Sequence, residues 1–534
     1  MRTYRWATAG DINAFFGLML DNLANLILTV GLLATAYNFP ATFALRFMLP
    51  GTAIGVVVGD LVFTWMAFRL ARRSGRNDIT AMPLGLDTPS TIGMVLFVLG
   101  PAFSAATKAG LSPDMAARHT WQVGICAIVA SGIFKLACAP ASGWIRRTVP
   151  RAGLLGSLAA VALVLISFLP LVEMLHYPVV GFVSLGIILT TLVARVDLPW
   201  RLPGAAGALL VGGGIYYAML SAGLLEAEKL QINPSDGLWP TGWLEVFQFG
   251  WVEALHDSVK YLPIVIPFAL ATVVGGIDCT ESAAAAGDEY DTGRIIAVEG
   301  MATLVAGLCG GVIQTTPYIG HPAYKAMGGR AAYTLATALF IGSAGLLGYF
   351  GYLYAAIPRA AVFPILIFVG LEITAQSFQA TPRRHYAAVA MACAPVLATL
   401  VMIFADQLLD AGQLDVTTLE TAGWVPLARA IQTMRMLSGG FIITSLLWAS
   451  ALAMLVDRRL RAAAGFFSVG AVASLFGVIH SPLRGSPLSL PWHPLPPLPA
   501  SAVGQAPLTI AASYAVLALL LAVWSLWVQP AKDV

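Results

Sequence analysis

Charge is what this chain has least of. Only 11% of its 534 residues are Asp, Glu, Lys or Arg, where soluble domains carry roughly 25%. Hydrophobic residues make up 58%, and the mean hydropathy is +0.80. That balance excludes a water-soluble globular protein. Cysteine is also scarce. Cys126, Cys138, Cys279, Cys309 and Cys393 all lie in apolar segments without CxxC spacing. The pattern argues against a disulfide framework or a zinc site and for small packing residues. The period-two alternation of a β-barrel is missing, and so is any Walker, dinucleotide, metal-ligand or nucleophile motif. No enzymatic activity, cofactor or metal is therefore expected, and no nucleic-acid partner. The opening MRTYRWATAGD has no small-residue cleavage site before the first apolar run, which predicts a retained first helix.

Apolar runs of about 18 residues or more recur along the chain, as a polytopic helical membrane protein requires. The first group lies near 12–36, 45–68, from Thr88 onward, 118–139, 152–172, 177–194 and 204–224. A weakly apolar, Trp-bearing stretch, 226–258, predicts an extracytoplasmic loop with an interfacial helix. The second group follows near 261–286, 295–311, 312–328, 331–354, 357–377, 385–405 and 437–456, with 406–435 as a loop. Two further spans, 462–480 and 508–528, are joined by a proline-rich linker expected to be extended. The domains expected are thus a seven-span repeat over 1–225, the loop 226–258, a second repeat over 259–456 and an extra pair over 457–534.

The third element of each group is interrupted, as PLGLDTP (83–89) and TPYIGHP (316–322). Prolines there forbid one continuous helix, and the freed backbone groups must line a cavity. The fold class expected is an all-α polytopic membrane protein. It is a 7+7 inverted-repeat transporter fold with two broken helices carrying short β-strands, plus two extra C-terminal spans. Arginine clusters at 69–76, 144–151, 381–386 and 457–461 fall on one side in this count. That predicts cytoplasmic termini, in a bacterial inner membrane.

Carboxylates inside apolar spans need a partner, a proton or a cation. Asp278, Glu281 and Ser282 share one helical face by their i, i+3, i+4 spacing. They are candidates to bind substrate, and the two acids to carry protons. Asp21 sits mid-span with Asn25 at i+4 and is a third candidate proton site. Asp87 and Thr88 precede Pro89 and read as an N-cap that also borders the cavity. His321 stands at the start of the second half-helix, where it can contact a ligand or titrate near neutral pH.

FGLMLDN in the first span, IDCTES, GLCGGVIQTTPYIG and IPRAAVFPILIFVGLEI together resemble the nucleobase–cation symporters, also called nucleobase–ascorbate transporters. The likeness is nearest to the hypoxanthine/guanine permease branch. It implies fourteen segments in core and gate domains, with the substrate between the strands of the third and tenth segments. Carried over residue by residue, Asp278 matches the eighth-segment acid, with Ser282 one turn on. Thr315 and Thr316 match the pair that opens the tenth segment, and Tyr318, Gly320 and His321 occupy the rest of that site. The family's glutamate there is missing, and Asp21–Asn22 stand where many members have Gln–His. The function so implied is proton-coupled symport of a purine-like or related small heterocycle, with a homodimer allowed. A sulfate-permease type of anion transporter on the same fold is the alternative, its anion held at half-helix N-termini. A non-transporting scaffold leaves the paired broken helices without a purpose.

Overall fold

The computed structural model describes residues 4–199, 202–226, 233–318, 320–484, 489, 491, 492 and 506–528. Among them, ten helices are long and apolar enough to cross a membrane, or twelve if each of two bent pairs counts as one span. Two shorter apolar helices, Pro178–Val193 and Leu460–Leu475, accompany them. Thr292–Leu308 and His321–Ala326 make up the remaining segments predicted from the sequence. The chain is an integral, multi-pass membrane protein of the expected fold class.

It divides into two compact units. One comprises Met1–Gly143 and Ile166–Leu371; the other comprises Trp144–Leu165 and Glu372–Val534. In the first unit the elements that matter here are α1 (Gly10–Tyr37), α2 (Ala41–Ser74), β1 (Leu84–Leu86), α3 (Thr88–Lys108) and α4 (Pro113–Cys138). Their counterparts are α5 (Leu262–Ala285), α6 (Thr292–Leu308), β2 (Thr315–Pro317), α7 (His321–Ala326) and α8 (Ala332–Leu347).

Proline sets both strands. Thr316 precedes Pro317, and a residue before proline is pushed out of the α region. Asp87 ends β1 and caps α3, its carboxylate accepting from Ser90 N at 2.8 Å, with Pro89 in the first turn. The strands pair antiparallel, Leu84 opposite Pro317 and Leu86 opposite Thr315. Asp87 N to Gln314 O (3.0 Å) and Tyr318 N to Pro83 O (2.8 Å) extend the ladder at either end.

Packing repeats around this ladder. α2 packs on α8 as α6 packs on α4, α1 meets α8 as α5 meets α4, and α2 crosses α6. β1 lies against α1 and α2 as β2 lies against α5 and α6. Those exchanges are what an inverted repeat requires. The α2–α6 crossing is tight. A Cβ on Gly51 would sit 2.2 Å from Cys309 O and 2.3 Å from Gly311 N, and one on Gly55 would sit 2.6 Å from the Ala306 Cβ. Small residues permit this approach.

In the second unit, α9 (Phe441–Val456), α10 (Leu460–Leu475) and α11 (Ala506–Trp524) pack in sequence. A half-buried polar node ties them: Trp448 Nε1 donates to Tyr514 OH at 2.6 Å, and His480 Nε2 lies 2.8 Å from the same hydroxyl.

Three expectations change. The span 331–354 is two helices, Ala332–Leu347 and Phe350–Ala356, bent by 99° at Gly348, whose φ of +79° only glycine adopts readily. The loop 406–435 is largely helical, with Val416–Thr421 capped by Asp415 and Val425–Ser438 bent by 76° into α9. In place of one interfacial helix, 234–258 forms successive 3-10 turns and the short helix Leu255–Ser258. Trp239 and Phe249 interrupt it in left-handed conformations. Most of the proline-rich linker lies outside the described residues.

Gly51→Ala is expected to lower the unfolding midpoint of the detergent-solubilised chain, by about 1–3 kcal/mol of overpacking. Gly214→Ala, where nothing lies within 4 Å of an added Cβ, serves as the control and should not lower it. Equal loss in the two variants contradicts the α2–α6 crossing.

Candidate functional site

A two-stranded ladder has two open edges, and inside a bilayer each unpaired backbone group needs a partner from the protein. Here side chains from five helices supply them. On β1, Asn22 Oδ1 of α1 accepts from Leu86 N at 2.8 Å, and Asp60 Oδ1 of α2 accepts from Leu84 N at 3.1 Å. On β2, Thr303 Oγ1 of α6 accepts from Thr315 N at 3.2 Å. Lys135 Nζ of α4 donates to Thr315 O at 2.8 Å, and Cys279 Sγ of α5 donates to Pro317 O at 3.3 Å.

Lys135 is fully buried, and so is its ion-pair partner Glu299 of α6, with Nζ to Oε1 at 3.0 Å. Gly276 makes room for the pair, since a Cβ there would lie 2.6 Å from Glu299 Oε2. Asp60, Lys135, Glu299 and Thr303 are not among the residues expected from the sequence. Their signal was present: Asp60, Lys135 and Glu299 are lone charges inside VVVGDLVF, GIFKLAC and IIAVEGMA.

The predicted site residues divide into two sets. Asp278, Glu281, Ser282, Thr316, Tyr318 and Gly320 are half-buried and flank β2 and the end of α5. Tyr318 stacks on buried Tyr324, ring centroids 5.9 Å apart. Asp21, Asp87, Thr88 and His321 are buried. Asp21 stands behind β1, where a Cβ on Gly85 would be 3.5 Å from its Oδ2. Asn25 bonds not the Asp21 carboxylate but its main-chain oxygen, at 3.0 Å.

His321 belongs to a different cluster. Its Nε2 is 3.3 Å from Asp288 Oδ2 and 3.2 Å from Thr80 O. Asp288, in the turn between α5 and α6, also takes Thr80 N at 3.0 Å, the Lys325 ammonium and Arg76 Nη2 at 3.5 Å. Tyr290 OH donates to Thr80 O at 2.7 Å, and Tyr333 OH to Ala81 O at 2.6 Å. This node pins the 76–82 connection that delivers β1. Burial pushes the Asp288 carboxyl up, but hydrogen bonds from His321, Lys325 and Thr80 outweigh it and hold the group below the usual carboxylate range.

No family model matches the chain, and no curated protein matches it. Among solved structures it is similar to the transmembrane domain of a cyanobacterial bicarbonate transporter, BicA. The TM-score is 0.47 at 16% identity, over 76% of this chain and 97% of that one. It is also similar to SLC26A9, with TM-score 0.45 at 11% identity over 72% of this chain and 61% of that chain. A third is the murine Slc26a9 anion transporter in the inward-facing state, with TM-score 0.40 at 13% identity over 76% and 68%. The expected membership of the nucleobase–cation symporters, and with it heterocycle symport as the function, is corrected here. The similar solved structures are of bicarbonate and anion transporters. The tenth segment holds no carboxylate for a ring N–H, and a buried ammonium backs its strand instead.

Two outcomes follow from these networks. Lys135→Met strands Glu299 in an apolar interior and is expected to cost about 3–5 kcal/mol, most of it recovered in Lys135→Met/Glu299→Leu. Unfolding in detergent measures this, and a double variant no better than the single contradicts the pairing. For Asp288 the folded pKa is depressed. Its contribution is therefore complete above the ordinary carboxylate range, near pH 4, and is lost as pH falls through the lower folded value. Asp288→Asn should flatten that part of the stability–pH curve, and an unchanged acid limb contradicts the assignment.

Proposed function

We propose that the chain is a secondary transporter that moves a small anion across the membrane, binding it where β1 and β2 meet. The observation that carries this reading is the ladder itself, set between helices that depart from its opposite ends. Backbone N–H groups at a helix start favour negative charge; at α3 the Asp87 carboxylate already takes one of them. The substrate-contacting set is Thr316, Tyr318 and Gly320 on the β2 side and Asp278, Glu281 and Ser282 on α5, with Asp87 and Thr88 shaping the β1 side. Behind β2 lies the Lys135–Glu299 ion pair, its ammonium on Thr315 O. The carboxylates Asp21, Asp278 and Glu281 stand beside this site and are the candidates to carry a proton that accompanies the anion. Alternating access follows from the two repeats, with 1–225 and 259–456 as their bounds.

Flux into liposomes containing the purified chain tests this with a panel of bicarbonate, sulfate, small carboxylates and nucleobases. Saturable uptake of at least one anion is expected. Asp278→Asn, which removes a like charge, is expected to tighten apparent anion affinity several-fold while altering the accompanying ion. Uptake confined to neutral heterocycles overturns the reading.

A further inference from the structure

The C-terminal half of α2, at the edge where its Thr64 meets Thr334 of α8 at 2.7 Å, carries a feature that transport does not use. Two rows run down it at four-residue spacing, Leu61–Trp65–Arg69–Arg73 and Thr64–Phe68–Arg72. These residues line a cavity of about 600 Å³. At 1.5 Å of rise per residue the rows span roughly 18 Å. The upper half is apolar: Leu61 is 43% and Trp65 57% exposed, with Phe68 half-buried. The lower half is cationic, its three arginines exposed. The Arg69 guanidinium marks the change of character, 5.3 Å from the centroid of the Trp65 ring.

Among the described residues nothing compensates this charge: Arg69, Arg72 and Arg73 make no ion pair, whereas Arg76, one turn on, is held by Asp78 at 2.5 Å and Asp288 at 3.5 Å. Positive residues at a span end set topology, but topology requires neither a cavity nor an aromatic shelf above the cations.

We propose that this face binds an anionic phospholipid. The guanidinium groups pair with the phosphate, for which the planar Arg fork is suited. Trp65 sits at the headgroup boundary, where indole is favoured, and one acyl chain lies along Leu61 and Phe68. The apolar half commits the site to a lipid rather than a free phosphate. The bound lipid braces the helix whose Asp60 holds β1.

Native mass spectrometry of the full chain in mild detergent, titrated with phosphatidylglycerol or phosphatidylcholine, tests the proposal. The wild type is expected to retain the anionic lipid selectively. Arg69→Gln/Arg72→Gln/Arg73→Gln should lower that retention roughly tenfold or more. A second readout needs no arginine variant: quenching of tryptophan fluorescence by brominated phosphatidylglycerol, taken as the difference between wild type and Trp65→Phe. Quenching at Trp65 that inorganic phosphate does not relieve supports the site. Equal retention of the two lipids, no difference at Trp65, or displacement by phosphate alone overturns it.

Discussion

An open-edged β-ladder in an apolar medium is the constraint on which this structure depends. Each three-residue strand pairs with the other along one edge only, and an unmet N–H or C=O in hydrocarbon costs several kcal/mol. Every helix around the ladder contributes a side chain to that end. Asn22, Asp60, Thr303, Lys135 and Cys279 each meet at least one backbone group of β1 or β2. Lys135 then requires Glu299, because a lone ammonium is not tolerated there. The placement of buried charge in this chain follows from a backbone requirement before any substrate is considered.

The same requirement explains the pairing of the two repeats. Each strand needs two helices of its own repeat at its edges, and the ladder joins the repeats antiparallel. α1 and α2 serve β1 as α5 and α6 serve β2. Glycine makes the central α2–α6 crossing close enough for this, and at Gly51 the opposing atoms are backbone. What remains half-open is the side of β2 facing the end of α5, where Thr316, Tyr318, Asp278, Glu281 and Ser282 gather. The proposed anion site is thus the part of the ladder that the scaffold does not consume.

Much of the fold was legible in the sequence, because length, hydropathy and proline act locally. Pro83, Pro89, Pro317 and Pro322 mark both interrupted segments; β1 falls between the first two, and β2 ends on Pro317. The bend at Gly348 and the helices within 406–435 were missed, since neither shows as a change of hydropathy. An acid that breaks an apolar run is visible in the sequence as a candidate, but what Asp60, Lys135 and Glu299 hold is not. Their partners lie 24 to 180 positions away in the chain, so a lone charge carried no visible purpose. The partner of His321, Asp288, sits in a polar turn that nothing in the sequence marks as facing it. IDCTES and GLCGGVIQTTPYIG, on which the family resemblance rested, hold Asp278, Glu281, Ser282, Thr316, Tyr318 and Gly320, and motifs shared across one fold do not determine the substrate.

Protection of Thr316 by a transported anion tests the central claim most directly. Thr316→Cys would be placed in a chain whose five native cysteines are replaced, and its reaction with a small charged thiol reagent timed in liposomes. A saturating anion is expected to slow the reaction in proportion to its occupancy, and completed modification is expected to stop flux. Labelling at 316 that proceeds at one rate with or without the anion, while flux continues, would place the site away from the ladder.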